Sequence, residues 1–121
     1  MDLGLGNKVA LVCGASRGIG FAVAEELARE GATLAICSRD ATALNAARAR
    51  LIPLGATVHA VAADLSTEAG IRNVVASTLE RFGRVDVLVT NTGGPPTGVA
   101  TGHLWSAWAR ASELLLRSAV E

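Results

Sequence analysis

VALVCGASRGIG, residues 9–20, joins an uninterrupted apolar run to a glycine-rich turn. Such a run is typical of a strand that is covered on both faces in a parallel sheet. After the turn, apolar side chains recur at helical spacing from Phe21 to Ala28, and charged side chains fall on the opposite face. Gly31 marks the expected end of that helix. The stretch therefore predicts a strand, a tight turn and a helix in direct succession.

The same alternation of strands and helices continues along the chain. Three further strands are predicted, at Thr33–Cys37, Thr57–Ala62 and Val85–Val89. Asp40 is expected to cap the second helix, which Pro53 and Gly55 should end, and Ser66 or Thr67 is expected to cap the third. The side chains of the third helix that should face inward are Ile71, Val74, Val75 and Leu79.

Strands that alternate with helices of this length imply right-handed crossovers and a parallel sheet. We predict an α/β fold, a Rossmann-type doubly wound sheet of strand order 3-2-1-4, in one domain over residues 1–121. A last helix is expected from about Leu104 to the end, and no fifth strand follows to cover the apolar edge of the fourth. We therefore expect a sheet truncated before its C-terminal strands, unless something else covers that edge.

Composition and charge exclude several classes of protein. The 121 residues are 50% hydrophobic with a formal net charge of +0, which argues against binding of nucleic acid or a membrane surface. The absence of a long apolar run or signal-like N-terminus predicts a cytoplasmic protein. Cys13 and Cys37 each end an apolar run and are expected to be reduced core thiols rather than a disulfide or redox pair. His59 and His103 lack partners at metal-ligand spacing, so no metal site is expected.

The glycine-rich turn has the composition of a phosphate-binding site. Gly14, Gly18 and Gly20 suit a backbone that bends sharply, approaches a diphosphate and packs a helix on a strand. The N-terminus of the following helix would supply free N–H groups and a partial positive charge. A purely structural glycine turn is the alternative, which the flanking apolar strand and amphipathic helix make less favoured.

The segment Cys13–Gly20 resembles the T-G-x-x-x-G-I-G fingerprint of the short-chain dehydrogenases/reductases, with Cys13 in place of the usual threonine. The resemblance covers the whole chain, which is similar to about the first half of a typical member. It implies that this segment binds a dinucleotide cofactor. The residues that it places at the cofactor are Gly14, Ser16, Arg17, Gly18, Ile19 and Gly20.

The end of the second strand indicates which dinucleotide is bound. An acidic side chain there would accept hydrogen bonds from the ribose hydroxyls, but this chain has Ser38 followed by Arg39. Arginine forks suit phosphate oxygens, and Arg17 is available from the first turn, so we predict NADP(H) rather than NAD(H). Arg39 could instead be a solvated charge, and an inward Asp40 would restore some NAD(H) binding.

Two further segments agree with the resemblance in order and spacing. It implies that Asp64, followed by Leu65, accepts a hydrogen bond from the adenine amino group; capping of the next helix is the alternative for Asp64. Asn91-Thr92-Gly93-Gly94 resembles the family's N-N-A-G motif. Asn91 is expected to brace the strand ends, and the small residues after it, Thr92 and Gly93, would let the backbone run beside the cofactor ribose. Gly93 and Gly94 could equally be plain turn residues.

The groups that perform the family's chemistry are absent from this sequence. The position seven residues beyond Trp108, where many members have a catalytic asparagine, is Leu115. The family's serine and its Tyr-x-x-x-Lys would lie past Glu121; the chain has no tyrosine, and its only lysine is Lys8. We therefore assign no catalytic residue to the chain.

The resemblance implies an NADP(H)-dependent oxidoreductase that interconverts a carbonyl and a secondary alcohol in a small substrate, as a 3-oxoacyl reductase does. It also implies a homo-oligomer, since the helix after Leu104 carries two tryptophans that suit an interface. The alternative is a non-catalytic dinucleotide-binding or oligomerisation module from a truncated gene product.

Overall fold

The computed structural model describes residues 3–91. Its elements are β1 (Val9–Cys13), α1 (Gly18–Arg29), β2 (Thr33–Ser38), α2 (Ala41–Leu51), a single 3-10 turn (Ile52–Leu54), β3 (Val58–Ala62), α3 (Glu68–Phe82) and β4 (Val87–Val89). All the strand pairs are parallel, and the strand order is β3-β2-β1-β4. The predicted Rossmann-type topology is confirmed.

Helices cover both faces of the sheet because successive strand residues point to opposite sides. On one face, Ala10 and Val12 of β1 pack with Leu44 of α2 and other buried residues from α1 and β2. On the other face, Leu11 packs with Val74 of α3 and the cysteines of β1 and β2. The apolar run of β1 is thus buried on both sides, as its composition predicts.

Local capping chemistry fixes where the helices begin and end. The Asp40 carboxylate accepts the N–H of Ala43 at 3.1 Å, which confirms Asp40 as the N-cap of α2. Of the two candidates for α3, Thr67 is the cap, and its hydroxyl accepts the N–H of Gly70 at 3.0 Å. Gly55, with φ of 90°, closes the 3-10 turn that follows α2.

The inward face of α3 differs from the prediction. Ile71 and Val74 are buried, but Val75 and Leu79 are 42% and 43% exposed among the described residues. Thr78 is fully buried instead, and its hydroxyl donates to the Val74 carbonyl at 2.7 Å. The buried line follows residues 71, 74 and 78, and each wrongly predicted residue lies one position, or about 100°, further round the helix.

The fourth strand is shorter than predicted and begins at Val87 rather than Val85. Before it, the Asp86 backbone N–H donates to the Val9 carbonyl, and the Asp86 carboxylate accepts the Val9 N–H, both at 2.8 Å. Leu88 faces the α3 side of the sheet and is 56% exposed. The helix predicted from Leu104 lies outside the described residues.

Candidate functional site

The segments predicted to bind the dinucleotide meet at one edge of the sheet. Parallel pairing aligns Cys13 with Cys37 and Val12 with Val89. The glycine-rich turn after β1, the segment after β2 and Asn91 after β4 therefore emerge side by side. We call this the carboxyl edge; it adjoins the switch point between β1 and β4, where open α/β sheets bind ligands.

Gly14 and Gly20 are glycines because no side chain fits at either position. Gly14 has φ of +62°, and a Cβ there would lie 2.6 Å from the Asn91 carbonyl oxygen. A Cβ on Gly20 would lie 2.1 Å from the Gly14 carbonyl oxygen and 2.7 Å from Asn91 Nδ2. The first turn of α1 thus packs against the backbone of the turn and against the Asn91 side chain after β4.

Gly18 is a glycine for a different reason. Its φ is +63°, but a Cβ there would meet no atom within 4 Å, so its constraint is backbone conformation and its side of the turn is open. Arg17, the N-cap of α1, has extended backbone and makes no side-chain capping bond. The N-terminus of α1 therefore keeps N–H groups and a partial positive charge suited to an anion.

The turn is fixed to the end of β2 by two hydrogen bonds. Ser38 Oγ donates to Ser16 Oγ at 3.1 Å, and the Ala15 N–H donates to the Cys37 carbonyl at 3.2 Å. The sequence predicts Ser38 at the cofactor, in the position of an acid, but gives no sign of its contact with Ser16. These serines are 22 positions apart, and only the β2-β1 adjacency could have indicated that they meet.

Two arginines stand at this edge without a counter-charge in the described part of the chain. Arg17 and Arg39 are exposed and form no ion pair with any residue from 3 to 91. Asp40, the acid that could have opposed them, engages the N-terminus of α2 instead. The glycine-rich turn and the residue after β2 thus each carry an exposed arginine.

Asp64 shapes the loop between β3 and α3. One oxygen of its carboxylate accepts the Ser66 N–H at 2.9 Å and the Ser66 hydroxyl at 2.6 Å. Its carbonyl accepts the Thr67 hydroxyl at 2.9 Å. The Asp64 side chain is therefore not the cap of α3, which was the alternative to adenine binding. Leu65 is half-buried against the apolar cluster beneath α3.

Asn91 joins the end of β4 to the glycine-rich turn. Its Nδ2 donates to the Gly14 carbonyl at 3.4 Å. This is the brace between strand ends that the sequence predicts for Asn91. Thr92 and Gly93 lie outside the described residues.

Cys13 and Cys37 are free thiols buried under the same edge. Cys13 and Cys37 are paired across β1 and β2, and both side chains lie in the apolar cluster on the α3 face. The sequence predicts two reduced core thiols but not that they are neighbours. Their pairing follows only from the register of β1 against β2.

The described residues offer neither a metal cluster nor a membrane helix. Within residues 3–91, no three side chains of His, Cys, Asp or Glu are grouped to hold a metal ion. The helices of the same stretch are all too short or too polar to cross a membrane. His103 falls outside this stretch.

A doubly wound sheet with a glycine turn at the start of its first helix defines a dinucleotide-binding class of α/β protein. Comparison with protein families narrows the class. The family model described as short chain dehydrogenase matches residues 8–121, and the chain belongs to that family.

Individual relatives resemble the chain over nearly its whole length. A rhamnolipids biosynthesis 3-oxoacyl-[acyl-carrier-protein] reductase of Pseudomonas aeruginosa is 38% identical over 114 residues, covering 94% of this chain and 44% of the relative. L-Sorbose reductase of Gluconobacter frateurii, solved with NADPH and L-sorbose, superimposes with a TM-score of 0.95 at 37% identity, covering 99% of this chain and 46% of that one.

An NAD+-bound xylitol dehydrogenase also superimposes, with a TM-score of 0.89 at 28% identity over 96% of this chain and 45% of that one. Neighbours of the same fold thus contain either dinucleotide. The chain spans less than half the length of each of these three relatives.

Proposed function

We propose that the chain binds NADP(H) at the carboxyl edge and forms the cofactor-binding portion of a short-chain dehydrogenase/reductase. The observation that carries this proposal is the contact between the turn and α1. Gly14 and Gly20 leave no room for a side chain there, and the open flank of Gly18 adjoins an uncapped helix N-terminus. A dinucleotide diphosphate needs this combination of close backbone approach and N–H donors.

The proposed contacts divide into three groups along the cofactor. The diphosphate would contact the turn, the adenosine half would contact the ends of β2 and β3, and the nicotinamide half would contact the loop after β4. The residues concerned are Gly14, Ser16, Arg17, Gly18, Ile19, Gly20, Ser38, Arg39, Asp64, Leu65, Asn91, Thr92 and Gly93. Ile19 fits this assignment because its side chain is 77% exposed at the first turn of α1.

The phosphorylated cofactor is favoured by charge. A 2′-phosphate would meet exposed guanidinium groups of Arg17 and Arg39, while the Asp40 carboxylate is engaged at the N-terminus of α2. The bond between Ser38 and Ser16 supports this assignment, because it holds the turn bearing Arg17 against the strand bearing Arg39.

The bound cofactor would supply hydride for interconversion of a carbonyl and a secondary alcohol. This chain's own residues would seat and orient it: α1 offers N–H groups to the diphosphate, and Asn91 holds the end of β4 against the turn. Proton transfer to the substrate oxygen needs an acid that these residues do not provide, since the 121 residues include no tyrosine. Alone, the chain should bind NADP(H) without turnover.

The relatives include reductases of a 3-oxoacyl thioester and of a sugar. We propose a small carbonyl or alcohol substrate of that kind for a complete enzyme, working in the cytoplasm as a homo-oligomer. The absence of tyrosine favours a second candidate for this polypeptide, a dinucleotide-binding or oligomerisation module without catalysis.

Arg39→Asp tests the choice of dinucleotide. Wild type should bind NADPH more tightly than NADH, and the variant should reverse that order. We expect a loss of NADPH affinity of roughly 10- to 100-fold, the effect of losing charge-assisted hydrogen bonds. Titration calorimetry with both nucleotides measures the ratio.

The matched control is Arg72→Asp, which also reverses an exposed arginine but lies on α3 beside Glu68. It should leave the NADPH to NADH ratio unchanged. Failure of wild type to bind either nucleotide would overturn the proposed function, and binding with an unchanged ratio in Arg39→Asp would overturn the assignment of Arg39.

A further inference from the structure

The outer side of β4 is open to a further strand. Within residues 3–91, β4 is the last strand of the sheet and pairs with β1 alone. The Asp86 N–H donates to the Val9 carbonyl at 2.8 Å. Because successive residues of a paired strand direct their backbone groups to alternate sides, those of Leu88 also face β1. The N–H and carbonyl groups of Val87 and Val89 therefore point away from the sheet.

Exposed apolar side chains lie beside these backbone groups. Leu88 is 56% exposed on the α3 face of the sheet. On α3 itself, the Ser77 hydroxyl lies 2.7 Å from the ring Nε2 of His59, so Ser77 marks the flank of the helix toward β3. The exposed residues Val75 and Leu79 are each two positions from Ser77, about 160° round the helix, on the flank toward β4. Unpaired backbone groups beside an apolar surface favour pairing with another strand.

The outer side of β3, at the other end of the sheet, is blocked. The Thr57 carbonyl accepts the Leu34 N–H at 2.9 Å, so the next carbonyl, that of Val58, points away from β2. Arg48 of α2 donates to the Val58 carbonyl through Nε at 3.0 Å. A charged side chain on an outer carbonyl hinders the pairing of a further strand. Association through β4 would therefore close at two chains rather than extend into a fibre.

The sequence predicts no fifth strand for this side of β4 within the 121 residues. From residue 92 to residue 103 the chain is rich in glycine, proline and threonine, and a helix is predicted from about Leu104. Glycine and proline are depleted in strands, and proline cannot donate to a ladder of hydrogen bonds. In a solution of this chain, the strand available to pair with β4 is therefore β4 of a second copy.

We propose that β4 is an interface at which two copies of the chain pair side by side, antiparallel, across a two-fold axis at Leu88. The inference goes beyond the proposed function, because it assigns a surface to the homo-oligomer and pairing needs no nucleotide. In this register, Val87 of one copy and Val89 of the other exchange both of their N–H···O bonds. The two Leu88 residues form the non-hydrogen-bonded pair between them, with Cα atoms about 4.5 Å apart.

This register is self-complementary in shape and in charge. Opposite residues of an antiparallel pair share one face of the sheet, so the two Leu88 side chains would cover each other on the α3 face. Asp86 would lie opposite Thr90 of the second copy, so no like charges face each other across the axis. Asp86 is also paired with Arg84 of its own copy at 2.9 Å. The formal net charge of +0 adds no long-range repulsion between the copies.

Sedimentation equilibrium of the full chain without nucleotide tests the proposal. Wild type should have twice the mass of one chain at micromolar concentration. Leu88→Lys replaces the mutual apolar cover with two ammonium groups at the axis, and we expect its dissociation constant to rise by at least about 100-fold. Leu88 is already half-exposed, so the variant should fold. The matched control is Ile52→Lys, which changes another residue that is 43% exposed, in the 3-10 turn before β3, and should remain a dimer.

Amide hydrogen exchange locates the interface within the dimer. The Val87 and Val89 N–H groups should exchange at least about tenfold more slowly in wild type than in Leu88→Lys, whereas the Leu88 N–H, which faces β1, should be protected in wild type whether or not it dimerises. A monomeric wild type, or an assembly of more than two chains, would overturn the proposal. A dimer that persists in Leu88→Lys, or a folded Ile52→Lys that is monomeric, would overturn it as well. None of these results depends on nucleotide, so the proposed function stands or fails separately by NADPH titration.

Discussion

The polar groups at the two edges of the sheet differ in whether they bond one another. At the amino edge, where the strands begin, the Asp86 carboxylate accepts both the Val9 N–H and the Arg84 guanidinium, at 2.8 and 2.9 Å. Arg84 also donates to the Asn7 carbonyl. At the carboxyl edge, Arg17 caps α1 with no side-chain bond and has no ion pair within residues 3–91.

This difference separates stability from binding within one small sheet. Polar groups that bond one another hold strands in register but have little left for a ligand. Groups left open for a ligand contribute little to the free energy of unfolding until that ligand binds. We therefore expect substitutions at the amino edge to change stability alone, and substitutions at the carboxyl edge to change binding as well.

Gly20→Ala should give the largest effect. The added Cβ would lie 2.1 Å from the Gly14 carbonyl oxygen, a backbone atom that cannot move aside cheaply. We expect the free energy of unfolding to fall by about 2–3 kcal/mol, as in overpacked cores, and NADPH binding to be lost. Urea unfolding and nucleotide titration measure the two effects.

Gly83→Ala is the matched control at the end of α3, which leads to the amino edge. Gly83 has φ of +78° and open space around a Cβ, so only the left-handed backbone is penalised, by about 1–2 kcal/mol. NADPH affinity of the folded protein should stay at the wild-type value. Equal loss of binding in both variants would mean that the close contact at Gly20 has no special relation to the nucleotide.

The parts of the fold that depend on local spacing could be predicted from sequence. The run Val9–Cys13 has one interpretation because every residue is apolar, and Asp40 precedes a helix at the position of a cap. The inward face of α3 could not be predicted to the residue, because Val74 and Val75 are equally apolar. Which of them is buried depends on how the helix docks.

The contacts of the candidate site could likewise be predicted from the sequence only in part. The glycines of the turn could be predicted because Gly14 and Gly18 have positive φ and Gly20 closely approaches the Gly14 carbonyl, whereas the contacts of Gly14 and Gly20 with Asn91 could not. The contact of Ser38 with Ser16 and the pairing of Cys37 with Cys13 could not, since only the adjacency of β1 and β2 brings these residues together. Tertiary pairing decides such contacts, and one sequence carries no local sign of it.

Asp86→Asn tests the amino edge through pH. Bonds from the Val9 N–H and the Arg84 guanidinium hold the pKa of Asp86 below its ordinary value of 3.8. A lowered folded-state pKa stabilises the protein above the ordinary value, and that stability is lost as pH falls through the folded-state pKa. Wild type should therefore exceed the variant in unfolding free energy at neutral pH, and the gap should narrow below about pH 4.

The measurement for Asp86→Asn is urea unfolding at a series of pH values, with NADPH affinity determined at neutral pH. Affinity should not change, because Asp86 lies at the opposite end of the sheet from the turn. A gap in stability that stays constant through acid would contradict the role of the charge. A loss of NADPH affinity would contradict the separation of the two edges.

Asp40→Ala should give the smallest effect. It tests a residue that lies at the carboxyl edge but has a structural role. Asp40 follows Arg39 at the carboxyl edge, yet its carboxylate bonds the Ala43 N–H as a structural cap. We expect loss of about 1 kcal/mol of unfolding free energy, as for Thr67→Ala at the cap of α3, with the NADPH to NADH ratio unchanged. If removal of Asp40 raised that ratio beyond about threefold, its carboxylate would be acting on the nucleotide, and the closed cap would not describe its role. An unchanged ratio with the expected loss of stability would show that a carboxylate next to a binding edge takes no part in binding once a helix N-terminus has engaged it.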